Sequence, residues 1–378
     1  MMKVARPIIL LFTTSTGGGH MNIAQSLKEI LEVKYDVAIM NPQSVAVDRW
    51  YTFVSRHFLQ FLEWQFIFTD NRIVSFCFQR ILTLLSRRRF QCIIERIQPQ
   101  LIITTHALLS YVAARANERR RERVPLIFQL TDLGQLHMTW FTEKQAAAYF
   151  APTQEIFTQA QEQGIDKSRQ YLTGRPVRCQ FLEVLPGERS ETLAALDFDP
   201  AIFTIFLQGG AKGSAGVDRT ISCLLSTGVP VQIILAAGNN KEMAERYVDN
   251  KRVRILPFTG LIAPYMAAAD VIAGKAGASF ISEAFMLEKP FLVTAFIPGQ
   301  ETPNLRFVER HNLGWVCLQA TAQQELLTRL TSNPEMIAEK VESIRAYKAW
   351  NRQANRDILS IIDRLLHEEM LVGYQESV

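Results

Sequence analysis

Cysteine is scarce in this 378-residue chain. Its five residues, Cys77, Cys92, Cys179, Cys223 and Cys317, are odd in number, widely spaced and without a Cys-x-x-Cys pair, which argues against a disulfide framework or a zinc site and fits a reducing cytosol. Long apolar runs are also lacking. The run at residues 8–12 is too short for the core of a signal peptide, and no cleavage site follows it. The most apolar region, residues 50–97, is broken by Arg56, Glu63, Asp70, Arg72, Arg80 and Arg87, so nothing approaches the roughly 20 residues of a bilayer-spanning helix. Net charge is small: 41 Lys and Arg against 37 Asp and Glu leave +4, which is no argument for a nucleic-acid partner. Hydrophobic residues make up 48%, and the 19 Gly and 15 Pro are scattered, so disorder is excluded and the length implies two domains.

What is present is alternation. Residues 8–13, 36–40, 101–105 and 126–131 read as strands with helices between them, the pattern of a parallel α/β sheet. A second series starts after Gly174-Arg175-Pro176 and Pro186-Gly187, with strands at 203–208, 231–236, 253–256, 271–273, 291–295 and 315–318. The expected fold is therefore α/β, with two Rossmann-like domains facing across a cleft. The domains span residues 1–177 and 178–345, and a charged C-terminal helix in 346–378 has its packing against the first domain left open.

Two glycine-rich turns carry chemistry. Thr16-Gly17-Gly18-Gly19-His20 joins the first strand to a helix, so backbone N–H groups and an imidazole meet at a helix N-terminus. A dinucleotide site is disfavoured, because Asn22 takes the third glycine position and the second strand ends in Met40-Asn41 without a ribose-binding acid. His20 is a candidate general base with a pKa near the operating pH; the alternative is a tight turn with an incidental histidine. In the second half, Gly274-Lys275-Ala276-Gly277-Ala278-Ser279 opens a helix after a strand. Small residues there let a diphosphate approach, and Lys275 adds a cation. Gly209 and Gly210 would form the other wall of that pocket or an ordinary turn. No paired acidic motif stands near these segments, so no metal or other cofactor is expected.

Residues 50–97 hold eleven aromatics, among them Trp50, Phe53, Phe58, Phe61, Trp64, Phe68 and Phe76, while Arg49, Arg56, Glu63 and Asp70 recur every seven residues. One helical stripe is charged and a wide apolar face is left, to be covered by core packing or by lipid headgroups. Between 71 and 125, eleven arginines face only three glutamates, a patch that anionic membrane lipids would attract by ~1 kcal/mol per cation near the surface. No RNA-binding motif accompanies the arginines, and nucleic acid is not an expected partner.

These segments in order resemble a known family. Thr13-Thr14-Ser15-Thr16-Gly17-Gly18-Gly19-His20, Gln129-Leu130-Thr131-Asp132-Leu133 with His137-Met138-Thr139-Trp140-Phe141, Gly174-Arg175-Pro176-Val177-Arg178, Gly274-Lys275-Ala276-Gly277 with Ile281-Ser282-Glu283-Ala284, and Pro298-Gly299-Gln300-Glu301 with Asn304 are similar to the motifs of the monogalactosyldiacylglycerol synthase and processive diacylglycerol glucosyltransferase family. The resemblance implies the two-Rossmann glycosyltransferase fold called GT-B and inverting transfer of galactose or glucose from a UDP-hexose to diacylglycerol. The enzyme would be peripheral on the inner face of the cell membrane. It further implies His20 as base with Asp132 as its orienting partner, and Gly17, Gly18, Gly19 and Trp140 on the acceptor side. On the donor side it implies Phe258 beside the uracil, Lys275, Ala276, Gly277, Ala278 and Ser279 at the diphosphate, Glu283 on the ribose, and Gln300, Glu301 and Asn304 at the sugar. From the residues alone, Asp132 also reads as a turn cap and Glu283 as a solvated helix carboxylate. Pro257 and Phe280 depart from the family pattern at the donor side, Phe280 being bulky for a phosphate loop. Transfer of N-acetylglucosamine to a lipid-linked peptidoglycan precursor, or a catalytically silent relative, are the alternatives.

Overall fold

The structure is a computed structural model and describes residues 6–14, 18–43, 59–183, 188–208, 216–238 and 240–375. The chain divides into two compact units, residues 1–176 with 350–378, and residues 177–349. In the first unit six parallel strands, β1 (Ile8–Phe12), β2 (Asp36–Met40), β3 (Leu101–Thr104), β4 (Leu126–Gln129), β5 (Ala148–Ala151) and β6 (Gln170–Leu172), lie in the order β2-β1-β3-β4-β5-β6. The helices that matter for the site are α1 (Gly19–Leu31), α2 (Leu59–Thr69), α3 (Arg72–Ile97) and α4 (Ala107–Asn117). Strands β1, β3, β4 and β5 are buried almost throughout, as expected of a parallel sheet covered on both faces.

The second unit repeats the plan with β7 (Phe203–Gln208), β8 (Val231–Ala236), β9 (Val253–Leu256), β10 (Val271–Lys275), β11 (Phe291–Ala295) and β12 (Gly314–Val316) in the order β12-β11-β10-β7-β8-β9. Helices α5 (Ala278–Met286) and α6 (Thr302–Arg310) follow β10 and β11. Each sheet has one place where the chain reverses its direction of growth, between β1 and β3 and between β7 and β10. In open α/β sheets that switch point is where the loops after neighbouring strands part and leave a crevice. The sequence-expected strands are all present, half of them with the expected ends and the rest with ends adjusted by one or two residues. Two more, β5 and β6, are absent from the expectation. Ala-Tyr-Phe-Ala and Gln-Tyr-Leu contain no β-branched residue; β5 pairs with the edge that β4 offers, and β6 with the edge that β5 then offers.

A 41-residue helix, α7 (Glu335–Gln375), starts in the second unit and ends in the first. Its later part packs Ile358, Ile361, Ile362, Leu365 and Leu366 into one core cluster with Ile9, Leu11, Leu27, Ile127 and Phe150. Asn351 reads the backbone of Arg175 in both directions, accepting from its N–H at 2.7 Å and donating to its carbonyl at 3.0 Å.

Candidate active site

In the first unit the switch point brings the loop after β1 beside the loop after β3. Gly18 has φ 77°, a left-handed conformation that glycine adopts without strain, and α1 begins immediately after it with no side-chain cap. His20 sits in the first turn. Its Nδ1 lies 2.7 Å from the Thr105 carbonyl, which can only accept, so the proton is on Nδ1 and the Nε2 lone pair is left as a base. Thr105 Oγ1 donates to Thr13 Oγ1 at 2.9 Å, tying the two loops together. Burial lowers the His20 pKa from 6.5 to about 4; the hydrogen bond to Thr105 pulls it upward and the nearby Arg175 guanidinium pushes it further down. His20 is therefore neutral across the physiological range, with a pKa well below the near-neutral value expected from the sequence.

Two acceptor-side expectations change. The group that orients the His20 ring through Nδ1 is the backbone carbonyl of Thr105, and not the Asp132 carboxylate, because a neutral imidazole has one proton to donate and Thr105 receives it. Asp132 is half-buried just past β4. Trp140, expected against the acyl-glycerol, is only 3% exposed and belongs to the core with Phe12, Phe90, Leu130 and Phe141. It sits in a short 3-10 turn, Met138–Phe141, that braces the α2–α3 corner: His137 Nε2 lies 3.0 Å from the Phe66 carbonyl, and Asp70 accepts the Met138 N–H at 2.8 Å. Gly19 and Gly18 are at the helix start as expected, whereas Gly17, Gly209 and Gly210 lie outside the described residues, as do Arg49, Trp50, Phe53, Arg56 and Phe58.

In the second unit β10 runs into the loop that opens α5. Gly274 has φ 154°, and a Cβ there would stand 2.2 Å from the Gln208 carbonyl of β7, so no other residue fits where the two strands meet. Gly277 leads into α5 with no side-chain cap, leaving its first turn as an anion-binding terminus. Lys275 is ion-paired with Glu301, whose other oxygen accepts the Ile297 N–H at 2.8 Å. The cation and the carboxylate expected to serve diphosphate and sugar are thus paired with each other. Asn304, expected at the sugar, is fully buried and donates to the Ala276 carbonyl at 3.0 Å, so it shapes the phosphate loop from behind. Ala276 and Ala278 are buried, and Gln300 and Ser279 are half-buried at the same end of the unit. Phe280, bulky on paper, turns its ring away to pack against Phe291 and Phe206, with centroids 5.1 and 6.2 Å distant.

Glu283 is 6% exposed, in contrast to the solvated carboxylate that its helix position alone allows. Its Oε1 accepts from Arg178 Nη2 at 2.9 Å, and that guanidinium stacks over Phe181 at 5.0 Å. Arg178 was visible in the sequence as the end of Gly174-Arg175-Pro176-Val177-Arg178, but nothing in the chain pattern tied it to a residue 105 positions away. Phe258, beside the loop after β9, is 78% exposed and presents an open ring face suited to a flat base.

Both halves of the chain match known families. Residues 20–177 match the family model described as monogalactosyldiacylglycerol (MGDG) synthase, and residues 204–358 match the glycosyltransferase family 28 C-terminal domain. The chain is similar to the chloroplastic monogalactosyldiacylglycerol synthase 2 of Arabidopsis thaliana, 25% identical over 81% of this chain and 70% of the relative. It is similar to the processive diacylglycerol beta-glucosyltransferase of Staphylococcus carnosus, 24% identical over 97% of this chain and 95% of the relative. Its fold is like that of Anabaena HepE, solved in complex with UDP, with a TM-score of 0.60 and 14% identity over 95% of this chain and 100% of HepE. With the first half matched by a monogalactosyldiacylglycerol synthase model and the second by a glycosyltransferase family 28 C-terminal model, the chain is similar along nearly its whole length to monogalactosyldiacylglycerol synthases and processive diacylglycerol glucosyltransferases.

Proposed function

We propose that the chain transfers a hexose from a UDP-hexose to the free hydroxyl of diacylglycerol with inversion. The observation that carries the reading is His20, held through Nδ1 so that its Nε2 lone pair is free at the carboxyl end of β1. The acceptor hydroxyl gives its proton to Nε2 as its oxygen bonds to the anomeric carbon, and the bond from that carbon to the phosphate oxygen breaks with its electron pair leaving on UDP. The developing negative charge on UDP is met by the first turn of α5 and by Lys275, which exchanges Glu301 for the diphosphate while Glu301 turns to a sugar hydroxyl. No metal is assigned to this step. The relatives named for diacylglycerol and the UDP complex of HepE support the substrate classes.

The acceptor is a lipid, and α3 is built to meet one. The first half of this helix is inside out. Ser75, Gln79 and Thr83 are buried, with Gln79 Nε2 donating to the Ala107 carbonyl at 2.9 Å, while Ile73, Phe76, Ile81, Leu84 and Leu85 face outward. Trp64, Ile67 and Phe68 of α2 are exposed as well, and Arg80, Arg88 and Arg89 lie among the outward positions of α3. An apolar face ringed by arginine suits the interface of an anionic membrane, into which it dips without spanning. Among the described residues no helix is long and apolar enough to cross a membrane. The reading places the protein as a peripheral enzyme on the inner membrane face.

The test incubates the purified full chain with vesicles of phosphatidylglycerol and diacylglycerol and either UDP-glucose or UDP-galactose, followed by mass spectrometry of the lipids. A hexosyl-diacylglycerol with one donor is the expected product, and the donor that yields it identifies the sugar. Absence of product with both donors overturns the proposal.

A further inference from the structure

Strands β1 and β3 are neighbours in register, Phe12 beside Thr104, at the point where the sheet changes its direction of growth. The residues that follow them therefore rise side by side. From β1 comes the loop that ends in His20; from β3 comes the dipeptide Thr105-His106. Thr105 holds one edge of the His20 ring through its carbonyl. His106 holds the rest: the two imidazoles meet edge to face with centroids 4.4 Å apart, close enough that no water fits between them.

His106 is itself firmly fixed. It is the N-cap of α4, its Nδ1 accepting the Leu108 N–H at 3.2 Å, so its own proton lies on Nε2. Its carbonyl accepts from the N–H groups of Leu109 and Ser110, and Ser110 Oγ is 2.7 Å from Thr104 Oγ1. The cap fixes the Thr105–His106 peptide, and that peptide carries both the carbonyl and the ring that fix His20. Nothing in the sequence motifs marked this histidine, because its partner is 86 positions away.

We propose that His106 is a positioning residue for the general base, its ring excluding water from one face of His20 and keeping the base neutral and aimed while its Nδ1 anchors the peptide that orients it. The inference deepens the glycosyltransferase reading and rests on it for the word base; the contact between the rings does not. Among the described residues, the titratable and charged groups that face His20 are His106, from the start of α4, and Arg175, from the segment after β6. Both imidazoles are pushed below their usual range, His106 by burial first and then by His20. The His106 ring withdraws one face of His20 from water, which disfavours the imidazolium, so His20 can take the acceptor's proton and release it again instead of resting as a cation.

The experiment compares His106→Asn with His106→Ala in the full chain. Asparagine is a good N-cap and restores the anchor without the ring; alanine removes both. The readouts are thermal stability, the NMR titration of the His20 ring protons, and the pH profile of kcat/KM for hexose transfer. For His106→Asn the expectation is a melting temperature close to wild type and a His20 titration midpoint raised by at least one pH unit, a tenfold gain in proton affinity, with the acid limb of kcat/KM moving by the same amount. The midpoint stays below 6.5 because Arg175 remains. His106→Ala shows the same shift with a lower melting temperature. A His20 midpoint unchanged in His106→Asn overturns the inference, whatever happens to the rate, since a merely structural histidine lowers stability without moving the titration. A shifted midpoint in a protein that transfers no hexose supports the positioning role and sinks the function reading instead.

Discussion

Leu84 and Leu85, on the outward face of α3, are 77% and 79% exposed, an arrangement a water-soluble surface does not favour. Replacing both with serine tests whether this face meets a membrane. Fully burying a leucine is worth about 1.5–3 kcal/mol, and roughly three quarters of each side chain is still available to be buried. Docking into the headgroup region would then draw about 2.3–4.7 kcal/mol from the pair, which at 1.4 kcal/mol per tenfold is a loss of about fortyfold to two-thousandfold in vesicle partitioning. In solution the same substitutions touch nothing in the core, so the melting temperature should hold within the ~0.5 kcal/mol typical of surface changes. Co-sedimentation with vesicles containing phosphatidylglycerol, at low and high salt, measures the first quantity, and calorimetry the second. Salt should weaken wild type and variant in parallel, because the arginine contribution is screened while the leucine contribution is not. Unchanged partitioning, or a fall in melting temperature of several degrees, would refute the argument, the second result showing that the face packs on protein.

His20→Ala should lower kcat by about 10²–10⁴, the range for losing a general base, with UDP affinity intact. Because the neutral imidazole is the active form and its pKa is lowered to about 4, kcat/KM of the wild type should be flat from neutrality down to about pH 5 and fall only below it; an acid limb near 6.5 contradicts the buried, Arg175-facing environment. Gly274→Ala forces a Cβ to 2.2 Å from the Gln208 carbonyl, and the overpacking should cost about 1–3 kcal/mol, read as a drop in melting temperature together with weaker UDP binding. Arg178→Ala removes the charged donor that holds Glu283, at ~1.5–3 kcal/mol for such a bond, so UDP affinity by titration calorimetry should fall tenfold to a hundredfold; unaltered affinity would show that Glu283 needs no holder.

Much of this was legible in one dimension because the signals are local. A β-branched run such as Phe203–Gln208 makes its own case for a strand, and a glycine-rich turn between a strand and a helix is a ligand site by backbone geometry alone. The short strands β5 and β6 carried no such signal, since their conformation comes from the neighbour they pair with. Trp140 misled for a related reason: an amphipathic ring suits a lipid and a core equally, and only packing says which. Asn304 carried no signal of its second task either, its amide donating to the Ala276 carbonyl of the loop that opens α5.

The sequence by itself determined the fold class, the two glycine-led helix starts, and His20 and Lys275 as the groups beside them, because strand pattern, glycine and helix start lie within a few residues of one another. Tertiary structure alone decided who touches whom across the sheet. It set His106 and Thr105 against His20, Arg178 against Glu283, Glu301 against Lys275, and the apolar side of α3 outward. Those pairings join residues tens of positions apart, and they come from strand order and burial, which set both the protonation of His20 and the apolar face that α3 leaves outward.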